Sequence, residues 1–274
     1  MLDAHQHFWQ YNPIRDAWID DSMPVIRKDF FPEHLEPVLA ENGMEGCVAV
    51  QADQSEAETA FLLELSDRHA FIRGVVGWTD LRAADVEERL ATYAQHPKLK
   101  GFRHIVQAEP DTDFLLREDF CRGIRALAKF NFSYDILVYP KQLAATAIFV
   151  KQFPEHRLVI DHMAKPDFKT GDITAWAAHM REIASSPNVY CKLSGLVTEA
   201  NWHHWKQEQF TPFLDVVLEA FGPNRLMFGS DWPVCLLAAS YQEVKEIVTS
   251  YISRLTTTEQ HQIMGGNAVS FYHL

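Results

Sequence analysis

The chain has 274 residues, 47% hydrophobic and 23% charged, with 37 acidic against 25 basic side chains and a formal net charge of −12. That length suits one large α/β barrel, typically ~250 residues, or two small domains, and the composition is that of a globular protein with a substantial core. The acidic balance disfavours binding to nucleic acid or to an anionic membrane surface, and no run approaches the ~18 apolar residues of a spanning helix.

From Met1 to His5 no basic segment precedes an apolar run, so no secretory leader is expected. A first strand is predicted over Leu2–His7, ending in His5-Gln6-His7. Side chains two apart on a strand share a face, so both imidazoles can point toward one axis, where each can bind a metal or polarise a carbonyl. Thirteen histidines would produce about 0.6 such pairs by chance, so the pair gains its weight from its place at a strand end. The long stretch Gln10–Glu33, with Pro13, Pro24 and Pro32, reads as a loop that follows the strand and covers a site.

Further strands are predicted over Gly46–Gln51, Ile72–Trp78, Leu99–Ile105, Phe132–Val138, Arg157–His162, Asn188–Ser194 and Leu226–Ser230. Most are continuously apolar, as parallel strands covered on both faces should be. Between them lie helical patterns: Val86, Leu90, Tyr93 and Ala94; Phe120, Ile124 and Leu127; Val244, Ile247, Val248, Tyr251 and Ile252. Ser55/Glu58 and Thr256/Glu259 have capping-box spacing at helix starts. Eight strand–helix units predict a single-domain TIM (β/α)8 barrel over residues 1–274. An open doubly wound sheet would have the same strand count, but no G-x-G-x-x-G or G-x-x-x-x-G-K-[ST] follows any strand.

In such a barrel, reactive groups sit at the C-terminal strand ends. Arg103 and His104 close strand 4, and being adjacent they face opposite sides. His162 closes strand 6; a histidine there is equally at home as a hydrogen-bonded core residue. Asp231 follows strand 8, where it could simply open the turn before Trp232-Pro233. A carboxylate facing three histidines would instead be ionised and placed as a base. Lys192, inside the apolar strand 7, is costly unless it meets an anion, a carbonyl or water. The aromatic faces of Trp9, Trp18, Trp78, Tyr139 and Trp232 suit sugar rings and suit core filling equally well. Cys47, Cys121, Cys191 and Cys235 form no C-x-x-C pair, which fits a reduced, cytoplasmic setting.

Six ordered motifs run nearly the length of the chain. They are D-A-H-Q-H-F-W from Asp3, V-V-G-W from Val75, G-F-R-H from Gly101, D-H-M-A-K-P from Asp161, C-K-L-S-G from Cys191 and F-G-S-D-W-P-V from Phe228. Together they resemble the amidohydrolase superfamily, and within it the sugar-lactonase branch that acts on L-fucono- and L-rhamnonolactone. The resemblance implies a TIM barrel that hydrolyses an aldonolactone to its acid. Residue by residue, His5 and His7 match the strand-1 pair, His162 the later-strand histidine and Asp231 the strand-8 aspartate. Strand 4 offers Arg103/His104, strand 5 Asp135 rather than a histidine, and strand 7 Lys192. The pattern therefore resembles members with one divalent ion such as Zn²⁺, or none, rather than a two-metal centre.

The expected mechanism has Asp231 deprotonate water while His5, His7 and His162 hold the ion, with Asp231, or polarise the carbonyl directly. Arg103, His104, Lys192, Trp18, Trp78 and Trp232 are the expected substrate contacts, and a small-molecule sugar lactone the expected partner. One alternative is another hydrolase or a decarboxylase of this superfamily acting on an aromatic or dicarboxylate substrate; a pyrone-dicarboxylate would call for several arginines at the mouth, where Arg103 is the main one. The other is a non-catalytic small-molecule-binding barrel. Monomer and homodimer are both compatible with the sequence.

Overall fold

The computed structural model describes residues 1–274. Eight strands, β1 (Leu2–Gln6), β2 (Gly46–Val50), β3 (Ile72–Gly77), β4 (Leu99–His104), β5 (Ser133–Ile136), β6 (Leu158–Ile160), β7 (Val189–Leu193) and β8 (Leu226–Phe228), form one parallel sheet in chain order. A parallel bridge from Gln6 to Trp232 joins its two edges. There His7 N–H donates to Trp232 O at 2.7 Å and Asp231 N–H to His5 O at 2.8 Å. The sheet is thus a TIM barrel and not an open doubly wound sheet. Several strands end before their predicted limits, β6 at Ile160 and β8 at Phe228. At these C-terminal ends the chain leaves the ladder to turn side chains into a cavity.

The helices are α1 (Pro32–Glu41), α2 (Glu56–Arg68), α3 (Val86–Tyr93), α4 (Glu118–Lys129), α5 (Leu143–Gln152), α6 (Thr174–Ala184), α7 (Leu196–Glu199), α8 (Thr211–Phe221), α9 (Tyr241–Ile252), α10 (Thr257–His261) and α11 (Asn267–Tyr272). Their apolar stripes are the predicted ones: Phe120, Ile124 and Leu127 of α4 are buried, as are Val244, Ile247, Val248 and Ile252 of α9. Seventy-one residues make the main core. A second cluster unites Leu2, Ala4, Val48, Val50, Val76, Val159 and Met227 of the strands with Ala268, Phe271 and Tyr272 of α11. The C-terminal helix therefore stoppers the barrel at the end away from the strand C-termini. All four cysteines are free and buried. No helix is long and apolar enough to cross a membrane.

Thr256 and Glu259 make both halves of the predicted capping box, with Thr256 N–H donating to Glu259 Oε2 at 2.9 Å and Glu259 N–H to Thr256 Oγ1 at 3.3 Å. Ser55 caps Glu58 N–H at 3.1 Å, but the Glu58 carboxylate turns away to accept from Ala52 N–H at 3.1 Å. Buried there, its carboxyl is pushed up from 4.5 to about 7. A folded-state pKa above the unfolded one means that burial penalises the ionised form. Stability is therefore fully present below 4.5 and lost as pH rises through about 7. Glu58→Gln keeps an acceptor for Ala52 and removes the charge. Between about pH 4 and pH 8 the variant should gain up to roughly 3 kcal/mol over the parent in denaturant melts; parallel profiles would refute this.

Candidate active site

The two strand-1 histidines reach the site because β1 carries a bulge between Asp3 and Gln6, where three residue steps face two on β2. Ala4 belongs to the interior cluster, and the extra residue lets His5 and then His7 face inward as well. Asp3 points the other way, accepting from Tyr241 Oη at 3.0 Å. Along β8 the alternation runs Met227, Gly229, Asp231. A Cβ at Gly229 would lie 2.6 Å from His5 Cβ, so this position must be glycine for the imidazole to pack. Asp231 adopts a left-handed φ of 58°, which short polar side chains tolerate best among non-glycine residues.

His162 arrives by a different route. On a continued β6 it would share the face of Leu158 and Ile160, which belong to the main core outside the barrel. Instead His162, Met163, Ala164 and Lys165 are all left-handed, at φ 52°, 52°, 57° and 49°. Each such residue costs on the order of 1 kcal/mol and persists only where its surroundings enforce it. Here Lys165 N–H donates to His162 O at 2.8 Å and Trp176 Nε1 to Met163 O at 2.8 Å. Gly195 supplies the room, since a Cβ there would stand 2.8 Å from His162 Nδ1. The predicted strand end at His162 is thus corrected to a left-handed turn that rotates the imidazole inward.

The four groups converge. His5 Nε2 and His7 Nε2 are 3.2 Å apart. Asp231 Oδ1 lies 3.3 Å from His7 Nε2, 3.9 Å from His162 Nε2 and 4.0 Å from His5 Nε2. His7 Nδ1 is engaged by Val50 O at 2.8 Å and His162 Nδ1 by Ser194 Oγ at 2.8 Å, leaving both Nε2 atoms for the centre. Zinc bonds of 2.0–2.2 Å in a tetrahedron imply ligand–ligand edges of about 3.3 Å. Donor type and spacing at His5, His162 and Asp231 therefore suit a single divalent cation, with His7 Nε2 beside them. Outer hydrogen bonds orient His7 and His162, while His5 Nε2 also meets the Arg103 guanidinium at 3.2 Å. Burial drives the His5 imidazole well below its usual range and that of His162 to about 4, so both are neutral at pH 7. Burial opposes ionisation of Asp231, but the facing imidazoles, His162 foremost, outweigh it and hold the carboxyl below the usual carboxylate range.

Beneath this cluster lies a buried charge network. Lys192 Nζ is 2.6 Å from Asp135 Oδ2, 2.9 Å from Asp161 Oδ1 and 3.1 Å from His5 Nδ1. Tyr272 of α11 donates to Asp135 Oδ2 at 2.7 Å. Arg103 Nη1 is 3.1 Å from Asp161 Oδ2 and 3.2 Å from His5 Nε2, and its other nitrogen donates to Gln51 O.

A cavity of about 550 Å³ opens above, within the range of small-molecule sites, and Asp231, His7, His162, Arg103 and Trp18 line it. His5 and Lys192 lie under its floor, so Lys192 meets its anions inside the protein rather than at the substrate. His104 departs from expectation: on the outer face of β4 it pairs with Glu109 at 2.7 Å and stacks on Phe114 at 4.8 Å. Trp78 serves that assembly, its Nε1 3.3 Å from His104 Nδ1. Trp232 is filling, packed edge-on to Phe30 at 5.1 Å. The predicted covering loop is present; its Trp18 and Met23, with Trp9 just before it, form one side of the cavity. Lys165, Glu199 and Gln107 also line it and escaped the sequence reading. Lys165 sits within the D-H-M-A-K-P motif, whereas nothing around Glu199 or Gln107 in the sequence marks them.

The amidohydrolase family model matches residues 2–274. The chain belongs to the amidohydrolase family. This amidohydrolase is 44% identical to an L-fucono-1,5-lactonase of Burkholderia multivorans, over 100% of the chain and 96% of that relative. It is 37% identical to an L-fucono-1,5-lactonase of Burkholderia ambifaria, over 100% and 95%. A crystal structure of a Burkholderia multivorans amidohydrolase with bound zinc superposes at a TM-score of 0.97 with 44% identity, over 100% of this chain and 99% of that one.

Proposed function

We propose that this amidohydrolase opens a sugar-acid lactone of the L-fucono-1,5-lactone type to the aldonic acid. The observation that carries the reading is one ionised carboxylate, Asp231, set beside His7 and His162 on the floor of a sugar-sized cavity, with His5 directly beneath. Full-length identity of 44% to an L-fucono-1,5-lactonase supports the choice of substrate.

In this reading Asp231 accepts a proton from water as it attacks the lactone carbonyl, and returns it to the departing ring oxygen. The Arg103 guanidinium lines the cavity and supplies positive potential where negative charge develops on the carbonyl oxygen. Trp18 and Trp9 cover the ring and restrict bulk water. His5, His7, His162 and Asp231 would hold one divalent ion such as Zn²⁺, which when bound supplies a Lewis acid for the carbonyl. A dicarboxylate substrate is not favoured, because Arg103, already paired with Asp161, serves the reacting carbonyl, and Lys165 is paired with Glu199, which leaves no cavity cation for a free carboxylate.

A pH-indicator assay over a panel of aldonolactones tests the reaction. At least one 1,5-lactone should open well above the buffer rate; if none does, the lactonase reading is lost. Elemental analysis should find about one divalent ion per chain, and chelation with verified removal should lower kcat by about a hundredfold or more. Unchanged activity after verified removal would assign the four residues to a metal-free site.

A further inference from the structure

The cavity wall beside Asp231 carries a charged couple that the chemistry above does not use. Lys165 Nζ lies 2.9 Å from Glu199 Oε1 and 5.4 Å from the centre of the Tyr139 ring. The two side chains are only 16% and 23% exposed, and both line the cavity. Thr198, next to Glu199, has its Oγ1 3.5 Å from Asp231 Oδ2, so the couple adjoins the reacting centre. Gln107 lines the same cavity.

The chemistry of the couple restricts that ligand. An unpaired lysine would attract a carboxylate or phosphate. A lysine already bound to a glutamate has cancelled its charge and presents N–H donors and a carboxylate acceptor side by side. A hydroxyl is both donor and acceptor, so two adjacent hydroxyls match such a surface. We propose that Lys165 and Glu199 read a vicinal diol of a neutral, polyhydroxylated lactone ring. The inference rests on the lactonase reading and deepens it. Lactones bearing a second carboxylate are turned away because no uncommitted cation faces them.

The test compares kcat/KM for three lactones in the parent, Glu199→Gln and Lys165→Gln proteins. The substrates are L-fucono-1,5-lactone, hydroxyl-free δ-valerolactone and the carboxylate-bearing glucaro-1,4-lactone. The parent should prefer the sugar lactone over δ-valerolactone by at least about tenfold, the scale set by leaving site polar groups unpaired. That ratio should fall by about tenfold in each variant, chiefly through KM, because only hydroxyl contacts are lost. In Glu199→Gln, Lys165 loses its anion, so the preference for glucaro-1,4-lactone relative to the sugar lactone should rise by about tenfold.

Unchanged ratios in variants that melt like the parent would overturn the proposal. So would a parent that opens δ-valerolactone as readily as the sugar lactone, a result that needs no variant and leaves the lactonase reading standing. A parent that opens no lactone at all brings down the lactonase reading and this one with it. If Lys165→Gln fails to fold, Glu199→Gln decides by the same two ratios.

Discussion

Asp231→Asn is expected to lower kcat on an aldono-1,5-lactone by about a thousandfold or more, with KM changed by no more than about threefold. The asparagine amide is isosteric with the carboxylate and tolerates the left-handed backbone at φ 58°. The main-chain bond from residue 231 to His5 O is independent of the side chain. What disappears is the basic oxygen. Water then loses its proton acceptor, and the departing ring alkoxide loses its proton source. Both steps depend on one group, so the effect appears in kcat. Rapid-mixing kinetics with a thermal melt in parallel would check it. A folded variant retaining more than about a tenth of parental kcat would remove Asp231 from the role of base. A binding barrel without catalysis would show no turnover in either protein.

Legibility of the site followed the regularity of the backbone. The eight strands were readable because parallel strands buried on both faces are continuously apolar, and the barrel followed from their alternation with helices. Arg103 against His104 was readable only as a choice: neighbours on a strand face opposite sides, and which side faces inward depends on register, which the structure settles in favour of Arg103. His5 and His7 were placed correctly at the strand end, but a pure period-2 pattern would have sent Ala4 and His5 to opposite faces. The bulge that brings both inward has no sequence mark of its own, since no glycine occupies it.

His162 closes the strand predicted over Arg157–His162, yet it reaches the centre through four left-handed residues, none of them glycine. Local propensity argues against that turn; tertiary contacts from Trp176 and the room left by Gly195 enforce it. Lys192 is legible as a charge amid apolar neighbours. Its partners could not be inferred, because Asp135 and Asp161 come from other strands and Tyr272 from the far C-terminus. Aromatic side chains were least informative. Trp18 faces the cavity and Trp232 the core, with nothing in the local sequence to separate them.

Lys192→Met is expected to destabilise the fold by about 3–5 kcal/mol, the usual cost of stripping one partner from a buried ion pair. Lys192 is fully buried, and its ammonium is shared by two fully buried carboxylates. Asp161 keeps Arg103, and Asp135 keeps only the hydroxyl of Tyr272. Burial already raises the Asp135 carboxyl to about 6 with Lys192 working to lower it, so without the lysine it should rise further. A carboxyl raised above its unfolded value contributes stability at low pH and loses it as pH climbs. The deficit of Lys192→Met should therefore be small near pH 5 and large near pH 8, where Tm should fall by roughly 10 °C. Adding Asp135→Asn removes the stranded charge while leaving an acceptor for Tyr272, and should restore about half of the loss. A deficit independent of pH, or one that Asp135→Asn fails to relieve, would show that methionine costs stability through packing rather than through the buried carboxylates.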